Sequence, residues 1–111
     1  MHDRPDELQS KTVRIVTGYG NLYVTVSELE GKPFEVFCVI GKSGKSITAK
    51  AEVIGRLVSL ALRNDIPLKE ITSQLTGIAG ENPHPHGKDV IHSIPDAVGK
   101  VLERLYLGKK A

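Results

Sequence analysis

The hydrophobic period changes once along this chain, at the glycines of "IGKSGKS" (Ile40–Ser46), and that change limits the fold to one with strands first and helices after. Ahead of it apolar residues recur every second position. Val13 and Ile15 oppose Arg14; Leu22, Val24 and Val26 share a face, as do Phe34, Val36, Cys38 and Ile40. Such alternation marks half-buried strands, because successive side chains point to opposite sides of a sheet. The runs are separated by "GYGN" (Gly18–Asn21) and "EGKP" (Glu30–Pro33), turn sequences too short for a crossover, so they predict an antiparallel meander.

Beyond Gly44 the spacing becomes helical. Ile47, Ala51, Ile54, Val58 and Ala61 step by four, three, four and three, and Val53, Leu57, Leu60 and Leu62 widen the stripe almost around the helix. A helix so apolar is expected to be the most buried of the domain. Gly55 inside it costs about 1 kcal/mol relative to alanine, which points to close packing against a neighbour. "NDIP" (Asn64–Pro67) stops this helix. Pro67 opens a shorter one with Leu68, Ile71 and Leu75 inward and Gly77 at its end. Residues 77–92, "GIAGENPHPHGKDVIH", read as a long loop, functional or mobile. A last helix starts at Ser93, where Ser93 and Asp96 have capping-box spacing and Pro95 sits in the first turn; Ile94, Val98, Val101, Leu102 and Leu105 face inward. The expected fold is α+β: a three-stranded antiparallel meander followed by three helices packed on one face (βββααα). Residues 1–11 are expected to form a flexible arm, 12–107 the domain and 108–111 a basic tail.

A chain of 111 residues, 40% hydrophobic and 25% charged, has the composition of one soluble domain. Its net charge of +2 is far from the excess carried by obligate nucleic-acid binders. The polar start "MHDRPDELQSK" is no signal peptide, and no apolar run is long enough to cross a bilayer, so no membrane association and a cytoplasmic location are expected. The single cysteine, Cys38, rules out an internal disulfide or a CxxC pair; on the inward face of its strand it reads as a core residue rather than a nucleophile.

Two segments could bind ligands. Gly44-Lys45-Ser46 at a strand-to-helix turn resembles a phosphate loop, but position 39 is Val39, and the glycine stands at Gly41, two residues too late for a loop that wraps a phosphate. A more modest anion site remains open, formed by Lys42, Ser43, Gly44, Lys45 and Ser46 at a helix N-terminus. The alternative is a solvated turn in which the glycines satisfy backbone geometry and Ser46 is the N-cap. His84, His86 and His92 form the second segment. Histidines at i and i+2 share a side of an extended chain, and with Glu81 or Asp89 they supply metal-ligand chemistry, although no spacing enforces a set.

The run "GNLYVTVSELEGKPFEVFCVIGKSGKSITAKAEVIGRLVSLALRNDIPLKEITSQLTGIAG", followed by "HSIPDAVGKVLERL", resembles the TSCPD domain, found mainly near the C-terminus of adenosylcobalamin-dependent (class II) ribonucleotide reductases. The resemblance implies that "IGKSG" is the domain's own strand-to-helix turn. It also implies an accessory role beside deoxynucleotide synthesis, with a reductase catalytic subunit as partner and a separate small protein as the form taken here. Two positions depart from the domain's pattern. Ile94 stands where the naming motif has a cysteine before Pro95, and Ala79 or Gly80 where a second cysteine is often found, so no thiol or metal role carries over. No cofactor is expected in this chain. The alternative function is a regulator that binds nucleotide or nucleic-acid phosphate through Gly41–Ser46, and self-association is compatible with either reading.

Overall fold

The computed structural model describes residues 2–108; Met1 of the arm and positions 109–111 of the basic tail lie outside the described residues. Three strands, β1 (Gln9–Thr17), β2 (Gly20–Leu29) and β3 (Lys32–Ile40), form an antiparallel sheet in the order β1-β2-β3. β1 begins three residues ahead of Thr12, where the alternation becomes visible. The two hairpins are tight. Glu30 and Gly31 connect β2 to β3 with φ of 54° and 77°, the doubly left-handed conformation that matches strand twist. Phe34 is an extra residue in β3: Glu28 pairs with Pro33 and Ser27 with Glu35, so the ladder bulges there.

The alternation places the core as the sequence implies. Leu22, Val24 and Val26 are fully buried, and Ile15, Val36, Cys38 and Ile40 join them on the inner face. Three helices follow: α1 (Lys45–Arg63), α2 (Leu68–Leu75) and α3 (Ile94–Tyr106). α3 lies across β1 and β2, α2 packs on α3, and α1 runs along β3. α3 supplies Ile94, Ala97, Val98, Val101 and Leu102 to the core.

α1 departs from expectation. It buries Ala51, Gly55, Val58, Ser59 and Leu62, but Val53, Leu57 and Leu60 are exposed, Leu57 by 61%. The cause is the position of the helix. β3 has β2 as its one strand neighbour, and α1 closes the opposite edge. Ser59 Oγ accepts from the Val36 N–H at 2.9 Å and donates to the Val36 carbonyl at 3.0 Å, satisfying edge groups that lack a strand partner. Gly55 permits this approach, since a Cβ there would stand 3.1 Å from the Val36 carbonyl oxygen and 3.2 Å from the Cys38 nitrogen. A helix seated on an edge buries one side and leaves the other to solvent.

The expected loop over 77–92 contains a small hairpin, β4 (His84–His86) and β5 (Asp89–Ile91), joined by Gly87 and Lys88. Strands of three residues are too short to show a period. The signal present was Gly-X at a two-residue turn, and Gly87 takes a φ of 60°.

Candidate functional site

At the strand-to-helix turn, Gly44 rather than Ser46 is the N-cap of α1. It is extended (φ −67°, ψ 163°), its carbonyl accepts the Thr48 N–H at 3.0 Å, and no side chain caps the helix. Ser46 is displaced into the first turn because the helix starts two residues earlier than a Ser46 cap implies, at Lys45. Lys42 adopts a left-handed φ of 46°, and Lys42, Lys45 and Ser46 are exposed. The first turn of α1 holds no acidic residue. The turn therefore presents two lysines and free N–H groups to solvent, an arrangement that favours anions.

The histidines do not converge. His84 and His86 lie on β4, half-buried, opposite Ile91 and Asp89, while His92 follows β5. Among the described residues no three His, Cys, Asp or Glu side chains gather into a set able to hold a metal ion. The Cys38 thiol is free and buried, and burial pushes its pKa up to about 12, which keeps it protonated and unreactive at neutral pH.

Charged residues whose partners the sequence reading did not supply are built into the frame. Asp96 is fully buried at the start of α3. Its carboxylate accepts the N–H groups of Gly77 and His92, each at 2.8 Å, and pairs with Lys100 at 3.0 Å. Burial alone would lower the Lys100 pKa, but the bonds to Asp96 and Asp89 outweigh it and raise the value. Ser93 Oγ accepts the Asp96 N–H and donates to the Ile78 carbonyl at 2.7 Å. The capping-box spacing is thus used half as expected: the serine caps the helix, while the aspartate ties α2's exit to the hairpin's end. The Ile78–Gly80 stretch and His92–Ser93 meet here: a Cβ on Gly80 would stand 2.8 Å from the His92 carbonyl oxygen. Glu35 is the other buried acid. It accepts from Arg4 Nε at 2.8 Å and from Arg63, whose guanidinium lies 5.4 Å from the Phe34 ring centre. The arm is held beside it, with the His2 N–H donating to the Arg63 carbonyl at 3.1 Å.

The outward side of α1 and the outer face of β3 enclose a groove of about 680 Å³, lined by Phe37, Val39, Leu57, Leu60 and Arg56 over a floor at Gly55. The exposure of Phe37 and Val39 follows from β3's alternation, since their even-numbered neighbours face the core. No helix among the described residues is long and apolar enough to cross a membrane.

A family model described as "TSCPD domain" matches residues 2–106. No curated protein and no solved structure matches the chain. The family match covers nearly the whole chain, which therefore belongs to the TSCPD domain family.

Proposed function

From this TSCPD-family membership, we propose that the chain is a non-catalytic accessory or binding module associated with adenosylcobalamin-dependent ribonucleotide reductase. The observation that carries the reading is the coincidence of the family match with the whole folded unit, inside which the sole thiol is buried and protonated. Reduction of a ribonucleotide at the expense of a dithiol oxidises a pair of cysteines, and this chain has one. Its part in deoxynucleotide synthesis is then to bind, in the cytoplasm, a subunit that carries the chemistry. The test is calorimetric titration of the purified chain into a class II reductase catalytic subunit from the same cell, with turnover measured alongside. Saturable binding at micromolar concentration is expected, with no ribonucleotide reduction by the chain alone when adenosylcobalamin and a dithiol are supplied. Absence of binding, or turnover by the chain itself, would overturn the reading.

A second reading rests on the uncapped, acid-free start of α1: a regulator holding a nucleotide or nucleic-acid phosphate at Lys42–Ser46. Its signature is salt-sensitive binding that the Lys42→Ala, Lys45→Ala double variant abolishes without a change in melting temperature. Binding that survives the double variant would exclude the turn.

A further inference from the structure

We propose that α1 and the outer face of β3 form the interface of a two-fold symmetric homodimer, independently of what else the chain binds. Val53, Leu57 and Leu60 on α1, and Phe37 and Val39 on β3, remain 48–62% exposed. Together they leave roughly 500 Å² of apolar surface open, near the upper end for a monomer. They are continuous: Phe37, Val39, Leu57 and Leu60 line one groove, and Leu57 also borders the neighbouring depression with Ile66 and Leu75. A stable interface buries about 800 Å² on each partner, and homodimer interfaces are about 65% apolar. That fraction amounts to the area this face leaves uncovered.

The charges on the face point to a second copy rather than a foreign partner. A two-fold contact sets a patch against itself, so its charges must come in opposite signs on either side of the axis. Glu52 and Arg56 meet this condition: they pair with each other at 2.9 Å on the open side of α1 and are 64% and 77% exposed. Ile54 lies midway between them and is also the midpoint of α1, Lys45–Arg63. An axis passing there, with the helices antiparallel, places Glu52 opposite Arg56 of the partner subunit and Val53 near the partner's Leu57. The exposed apolar side chains of the two α1 helices then face one another across the axis. With a net charge of +2, two copies repel little.

Sedimentation equilibrium on the full chain, up to about 100 μM, tests this by mass action. The expected result is twice the 12.1 kDa chain mass, with Leu57→Asp and Leu60→Asp monomeric and their melting temperatures in dilute solution unchanged. Arg56→Glu sets like charges together and should weaken the dimer at least tenfold; adding Glu52→Arg restores it. A wild-type monomer at the highest concentration would overturn the proposal. So would open-ended association, a dimer indifferent to both leucine substitutions, or failure of the double charge exchange to rescue.

Discussion

Glu28 shows how a single surface carboxylate can be tuned by position. On β2 it accepts a hydrogen bond from the Tyr106 hydroxyl at the end of α3 and pairs with Lys11 of β1 at 3.1 Å. The Tyr106 bond first, then Lys11, hold its carboxyl below the ordinary value of 4.5. A depressed folded pKa contributes stability that is fully present above the unfolded value and is lost as pH falls through the folded one. Urea denaturation of wild type and Glu28→Gln across the acid range should therefore show a difference at neutral pH that closes below pH 4.5. A constant difference would mean that the carboxylate's charge plays no part. At this scale the sequence disclosed identities but not partners. Ser93 and Asp96 announced a helix start by their spacing. That Asp96 would also hold the Gly77 N–H was invisible, because that group reaches it only when α2 is folded onto α3.

Among the elements, α1 combines a readable pattern with a misleading one. Gly55 implied close packing, and the structure shows its neighbour to be the backbone of β3. Gly55→Ala would ordinarily gain about 1 kcal/mol in helix propensity. Here the added methyl meets main-chain atoms that side-chain rotation cannot move, so a net loss of about 1–3 kcal/mol is expected from chemical denaturation. The leucines divide by side of the helix. Leu62→Ala, on the buried side, should cost about 2–5 kcal/mol, whereas Leu57→Ala in dilute solution should cost less than about 1 kcal/mol. Equal losses would place Leu57 in the core. Periodicity assigned both to one broad apolar stripe, since a hydrophobic pattern records that a residue avoids water and not which surface covers it. The β4–β5 hairpin was missed for a different reason: three-residue strands are too short for an alternation to repeat.

At the scale of the molecule, Glu35 joins three distant parts of the chain: β3, the end of α1 through Arg63, and the arm through Arg4. Its side chain is 2% exposed, whereas those of Arg63 and Arg4 are 25% and 43% exposed. Loss of the more buried partner should weigh more. Arg63→Ala is expected to cost about 3 kcal/mol by stranding a buried charge, and Arg4→Ala about 1 kcal/mol or less. A thermodynamic cycle including the double variant would show coupling, because both arginines neutralise one carboxylate. Much of the architecture was already determined by the sequence alone: three strands then three helices, the meander order, the inner face of every long strand and the N-cap of α3. These follow from nearest-neighbour stereochemistry, in which side-chain direction repeats every two or 3.6 residues and glycine or proline ends a run. Only the tertiary structure decided that α1 would close the edge of β3 instead of being enveloped, leaving Phe37, Val39, Leu57 and Leu60 facing outward. A three-stranded sheet has a limited inner face, and α3 already occupies much of it. Where the surplus apolar surface goes is a question of area shared among elements far apart in sequence, which no local pattern records.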